Sequence, residues 1–366
     1  MTGIRVAMLN NIPSPYSVDL FRCLQNQYPE TEFHFIFTSA SEDNRNWKTD
    51  FSDLKHAYVL KSRIIRLKTV FDQRYVHLPA NIRKTLDRIN PDVVIAKEYN
   101  PSALQSLSWC RKHKKKYIHV TEGTLNSEKK LNPVQKLSRK RIIAGSDYLI
   151  GASTKSKEKL LAWKAPEEKT DICWLTFDFS RMQKIERRPV RGCLLYVGSM
   201  AERKGIDLLI RALPYLKTDY TLNIVGNGTP EQESALKKLA EDLGVSGRIR
   251  WCGYLEGDEL YRKYSEAEVF VLPTREDCFG MVLLEALIMG IPIVSSKYAD
   301  GAYDIVDEGV NGCLADPFRP EEFAGAIGRV MNSEEIQKNA GTMNYDRFRL
   351  ENVAKAYMKA VRSVLS

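Results

Sequence analysis

No two of the seven cysteines stand at a CxxC spacing, and no histidine follows His119. Without clustered thiols and imidazoles the chain lacks the usual zinc signatures. An odd, scattered set of cysteines (23, 110, 173, 193, 252, 278 and 313) reads as free thiols in a reducing compartment rather than a disulfide framework. Long apolar runs are also missing. The longest, Met281 to Val294, is interrupted by Glu285, Gly290 and Pro292 and is too short to span a bilayer. The opening MTGIRVAMLNNIP reads as a strand and a turn, without the apolar core and small-residue cleavage site of a secretory signal. No zinc finger or RRM-type aromatic motif is present, so nucleic acid is not an expected partner.

What the sequence does hold is enough for two ordinary globular domains: 366 residues, 43% apolar and 28% charged. Charge is unevenly shared. Residues 1–185 carry a net +13 and residues 186–366 a net −4. The positive half includes RKHKKK (Arg111 to Lys116), two lysines at 129–130 and KLSRKR (Lys136 to Arg141). A basic half on a soluble enzyme points to an anionic membrane surface or an acidic substrate, against the plainer reading of solvated helix faces. The expected location is cytoplasmic, with a peripheral place on the inner face of the plasma membrane as the further candidate.

Short β-rich runs alternate with amphipathic helical stretches throughout, from IRVAMLN and YSVDLFRCLQNQ onward. IERRPVRG (Ile185 to Gly192) reads as a polar linker, after which a second series begins at CLLYVGS and GIDLLIRALPYL. Such alternation predicts α/β architecture with parallel sheets covered by helices on both faces. Two series around a linker predict two doubly wound, Rossmann-like domains facing across a cleft. Their boundaries are 1–185, with a returning C-terminal helix at 350–366, and 186–349. Ligands in such sheets bind beyond the carboxyl ends of the strands.

Four loops after strands carry candidate chemistry. In LLYVGSMAERKGIDLLIRAL, Arg203 and Lys204 stand just before a helix start, a place that favours a diphosphate. In NIVGNGTPEQES, Gly226 and Gly228 form a G-x-G that a turn capped by Thr229 and Pro230 explains equally well. In PTREDCFGMVLLEALIMGIPIVSS, Glu285 lies inside a helix apolar on every side, either as a buried ion pair with Lys297 or an arginine or as a ligand for vicinal ribose hydroxyls. The fourth, SSKYADGAYDIVDEGVNGCLADP, is a glycine-containing loop able to approach a ligand closely.

Taken in order, YVGSMAERKGIDLLIRAL, NIVGNGTPEQESALKKLAEDLGV, RIRWCGYLEGDEL, FVLPTREDCFGMVLLEALIMGIPIVSS and DGAYDIVDEGVNGCLADP resemble the retaining GT-B glycosyltransferases of family 4, also called glycosyl transferases group 1. These pieces cover nearly all of residues 193–332, while the first half matches more loosely through PYSVDLF, NPDVVIAKEYNPSA and AGSDYLIGAST. The resemblance implies a second domain that binds a UDP- or GDP-sugar and a first domain that recognises the acceptor. It implies sugar transfer with retention to a glycan or polyprenyl-diphosphate-linked acceptor of a bacterial surface polysaccharide, such as lipopolysaccharide, with neither cofactor nor metal.

The family's E-x7-E pair maps its second Glu onto Glu285 and its first acid onto Asp277, with Glu276 as the rival. Lys204 matches the family's phosphate-binding Lys. Ser199 stands at the usual Arg position, leaving Arg203 as the substitute. Gly198, Tyr254, Cys278, Phe279 and Gly280 complete the implied donor site. The family's Gly-rich first loop is replaced by NNIPSPYS, and Glu122 of YIHVTEGT stands where a histidine is common, with His119 as the other candidate. The implied catalytic set is therefore Asp277, Glu122, Arg203 and Lys204. A non-catalytic, nucleotide-sugar-binding scaffold is the alternative that these departures keep open.

Overall fold

The computed structural model describes residues 3–42, 49–68 and 73–366. The chain divides into two compact units: one holds the described residues up to Asp178 together with Asp346–Ser366, the other Phe179–Tyr345.

The first unit is built on β1 (Arg5–Asn10), β2 (Glu32–Phe37), β3 (Ala57–Val59), β4 (Ser62–Lys68), β5 (Gln73–Pro79), β6 (Val93–Lys97), β7 (Lys116–Thr121), β8 (Tyr148–Gly151) and β9 (Thr170–Ile172). Seven of these form one parallel sheet in the order β3-β2-β1-β6-β7-β8-β9. Strands β4 and β5 pair with each other as a separate antiparallel hairpin. That hairpin departs from the expected alternation, because Arg and Ile mix along Ser62–Lys68 and β4 pairs antiparallel with β5. Helices α1 (Pro15–Gln27), α2 (Ile82–Ile89), α3 (Pro101–His113), α4 (Pro133–Gly145) and α5 (Thr154–Ala162) alternate with the strands. The last helix, Leu350–Leu365, returns to this unit. It buries Val353, Tyr357, Met358, Val361 and Val364 with Phe21 and Leu24 of α1 and the strand residues Val6, Phe35 and Val93.

The second unit has β10 (Cys193–Val197), β11 (Thr221–Val225), β12 (Ile249–Gly253), β13 (Val269–Leu272), β14 (Ile293–Ser296) and β15 (Gly312–Ala315). They form a parallel sheet in the order β12-β11-β10-β13-β14-β15. Its helices include α6 (Ile206–Ala212), α7 (Pro230–Asp242), α8 (Gly257–Glu266) and α9 (Met281–Ile288). Every residue of β13 is fully buried, as continuous apolar runs covered on both faces should be. In both sheets the chain winds outward from a central strand and then restarts on that strand's other side. The order reverses between β1 and β6 and between β10 and β13, and crevices at the carboxyl ends of such strand pairs are where α/β sheets bind ligands.

Candidate active site

At the reversal in the second sheet, the loop after β10 meets the loop after β13. The first turns at Gly198, whose positive φ a side chain would resist, and Gly226 of the next loop packs so close that a Cβ there would lie 1.9 Å from the Gly198 carbonyl oxygen. This packing is the physical need behind the Gly226 of the G-x-G, while Thr229 and Gln232 cap α7 reciprocally and Pro230 opens it. Ser199 is exposed and its carbonyl accepts from the Tyr196 hydroxyl at 2.9 Å. Gly205, at φ +70°, ends a short turn holding Arg203 and Lys204 and abuts the Pro273 carbonyl.

These two cations converge on one carboxylate. Lys204 Nζ donates to Asp277 Oδ2 at 2.5 Å, and Arg203 Nη1 lies 3.6 Å from the same oxygen. Burial pushes the Asp277 carboxyl up, but the charges of Lys204 and then Arg203, the Lys204 hydrogen bond and a backbone N–H bond outweigh it and bring the carboxyl down to about 2. Glu276 meets the cluster through its backbone, accepting from Arg203 Nη1 at 2.8 Å. Arg275 clamps the opposite loop, bonding both oxygens of Asp207 at 2.7 Å and the Glu202 carbonyl at 2.7 Å. Nothing in TREDCFG distinguishes this clamping arginine from a surface charge.

Past Cys278, buried Phe279 and Gly280 in the left-handed region, α9 carries Glu285 into the interior. Its carboxylate accepts the hydroxyl of Tyr264, a fully buried residue of α8. Lys297, one of the ion-pair partners considered for it, bonds Asp316 at 2.9 Å instead. Tyr254 stands apart after β12, 43% exposed, with its hydroxyl donating to Glu256 at 3.1 Å.

In the first unit, the residues after β1 and β6 are joined by Asn100 Nδ2 donating to Asn11 Oδ1 at 3.0 Å. In NNIPSPYS, Ser14 caps α1 and Pro15 opens it. Glu122, just past β7, pairs with Lys97 at the end of β6, and its backbone N–H donates to Glu98 Oε1 at 2.6 Å. Among the described residues, Glu98 is the one non-glycine with positive φ that does not follow a helix, a conformation that persists only where surroundings enforce it. Behind it Lys159 donates to Thr121 Oγ1 at 2.9 Å and sits 3.6 Å from Glu128, which Arg139 grips with two bonds of 2.7 and 2.8 Å. His119 is fully buried against Tyr99, ring centroids 4.5 Å apart. Burial, then the nearby Lys159 and Arg139, hold it well below the ordinary imidazole range. It is a neutral interior group, and Glu122 is the residue at the strand end.

Among the described residues no group of three or more His, Cys, Asp or Glu is placed to hold a metal ion, and no helix is long and apolar enough to cross a membrane.

A family model described as glycosyl transferases group 1 matches residues 180–347, nearly the span of the second unit. An uncharacterized glycosyltransferase of Methanocaldococcus jannaschii is 30% identical over 270 residues, covering 67% of this chain and 68% of that protein. The chain belongs to the group 1 glycosyltransferases. This glycosyltransferase is also 30% identical over 174 residues to the lipopolysaccharide core biosynthesis glycosyltransferase LpsE of Rhizobium meliloti, covering 46% of this chain and 49% of that one. Its fold is that of GT-B enzymes of known structure. The lipopolysaccharide outer core galactosyltransferase WaaB superposes with a TM-score of 0.75 at 20% identity, covering 98% of this chain and 99% of that one. HepE of Anabaena, solved in complex with UDP-glucose, superposes with a TM-score of 0.74 at 16% identity, covering 98% and 100%.

Proposed function

We propose that this glycosyltransferase moves a sugar, with retention of anomeric configuration, from a UDP-sugar to a glycan or lipid-linked acceptor of a cell-envelope polysaccharide, without a metal. The observation that carries the reading is the convergence of Arg203 and Lys204 on Asp277 at the sheet's reversal point, one loop ahead of the buried carboxylate Glu285. Two cations held by a carboxylate form a ready site for a diphosphate, and Glu285 is suited to accept bonds from ribose hydroxyls. The nucleotide is inferred from HepE, which was solved with UDP and with UDP-glucose. The class of acceptor is inferred from WaaB and LpsE, whose names place them in lipopolysaccharide synthesis.

In the proposed reaction the bond from the anomeric carbon to the diphosphate oxygen breaks and one to an acceptor hydroxyl oxygen forms on the same face. The hydroxyl proton passes to the departing phosphate. Arg203 and Lys204 stabilise the negative charge growing on that phosphate, the kind of fixed electrostatic complementarity that supplies the largest share of many enzymic accelerations. Asp277, ionised, accepts hydrogen bonds and holds the two cations in place. GDP-sugars are the rival donors.

A thermal-shift panel of UDP-, GDP- and ADP-sugars, with and without EDTA, tests this. A UDP-sugar at a hundredfold excess over its Kd is expected to add ~2.7 kcal/mol of stability, with EDTA making no difference, and K204A is expected to abolish the gain. Stabilisation by none of the donors would remove the donor-site reading, and a strict metal requirement would remove the metal-free mechanism.

A further inference from the structure

Helix α4 presents apolar residues on the side where a surface helix normally presents polar ones. Val134 and Leu137 are 75% and 66% exposed, the highest values among the described large apolar side chains, and Leu125 in the preceding loop is 50% exposed. Three residues apart, Val134 and Leu137 share one helix face. Lys129, Lys130, Lys136, Lys140 and Arg141 are exposed around them. The segment's one acid, Glu128, is turned inward to Arg139 and Lys159. The helix is firmly set: Asn132 and Gln135 form a reciprocal cap, Pro133 opens the first turn, and Arg139, Ile142 and Ile143 are buried on the inner side.

Single exposed apolar residues are ordinary. A pair on one face, joined by a loop leucine and set in a field of one sign, is the pattern of an interfacial helix. The apolar side chains enter the acyl boundary while lysine and arginine reach anionic headgroups. A protein partner suits the face less well, because lysine is depleted from protein interfaces. We infer that the outward face of α4, with Leu125, Lys129 and Lys130, docks on an anionic lipid bilayer. The Arg139–Glu128–Lys159–Thr121 chain ties this helix to the end of β7 beside Glu122. Docking therefore holds the Glu122 end of the first sheet at the lipid surface, where a lipid-anchored acceptor presents its sugar. That last consequence rests on the proposed transferase reading; the docking itself does not.

Co-sedimentation of the full chain with vesicles, without donor or acceptor, tests the docking independently of any transfer activity. The protein is expected to bind mixed phosphatidylcholine–phosphatidylglycerol vesicles and to leave pure phosphatidylcholine vesicles unbound. V134S/L137S is expected to weaken binding about tenfold, and K136Q/K140Q about thirtyfold at low salt. Both variants should melt with wild type, since all four side chains are exposed. Absence of binding at low salt overturns the inference, as does equal binding by V134S/L137S and wild type. Self-association without lipid that V134S/L137S abolishes would assign the face to a second copy of the chain instead.

Discussion

Asp277 and Glu276 are adjacent carboxylates in the loop before α9. Glu276 is the longer of the two and equally charged, so spacing alone does not decide which carboxylate the cations meet. In the structure Lys204 and Arg203 converge on Asp277, while Glu276 engages Arg203 through its carbonyl. Because the Asp277 carboxyl lies at about 2, below its unfolded value of roughly 4, its contribution to stability is complete above pH ~4 and is lost as pH falls through ~2. Unfolding free energies from urea titrations across that window are expected to fall in wild type by about 2 kcal/mol relative to D277N, whose curve lacks this component. Parallel curves would mean that the ion cluster is not the source. The same substitution is expected to slow transfer by ~10²- to 10³-fold, with E276Q close to wild type; loss in E276Q alone would move the role to Glu276. Lys97 and strained Glu98 were not legible as the partners of Glu122, since a pairing between the ends of β6 and β7 depends on the registration of two strands rather than on any motif.

Pairs of elements supply what single motifs leave out. Helix α9 is apolar all round, so a carboxylate inside it had to have a partner, and that much followed from desolvation alone. Its identity as Tyr264 did not, because the two residues come from separate helices, 21 positions apart, that meet only after β13 is in place. Tyr264 is packed parallel to Phe270 of β13, ring centroids 5.8 Å apart, so its hydroxyl fixes the height and angle at which Glu285 is held. If Glu285 binds ribose, Tyr264 is a positioning residue for it. Y264F then removes a bond to a charged group, an effect of ~10- to 100-fold, and should raise the donor KM more than it lowers kcat. A 2′-deoxyribosyl donor should be far less sensitive to the change. Equal loss with both donors would mean that Tyr264 serves only packing. The β4–β5 hairpin escaped the sequence for a different reason: Arg63-Ile64-Ile65-Arg66 forms neither a continuous apolar run nor a strict alternation, and the hairpin joins neither parallel sheet.

Both parallel sheets were legible because fully buried strands such as VFVL in β13 leave continuous apolar runs between amphipathic helices. Strand-end and loop side chains such as Lys97, Glu98 and Glu122 leave no such periodic trace, and that end of the first unit was correspondingly harder to read. Each unit has its own sheet and its own core, and the last helix completes the core of the first with fully buried Val361. Units with separate cores can unfold as separate cooperative blocks. The proposed donor residues Arg203, Lys204, Asp277 and Glu285 all belong to the second unit, whereas Val361 belongs to the first. An aspartate at position 361 would bury an unpaired charge, so V361D is expected to lower one calorimetric transition by several kcal/mol. Added UDP should raise the other, in wild type and variant alike, because ligand stabilises only the block that binds it. A UDP shift confined to the transition that V361D lowers would place the nucleotide in the first unit. Such a result would detach the Arg203–Lys204–Asp277 cluster from donor binding and leave it a structural ion pair.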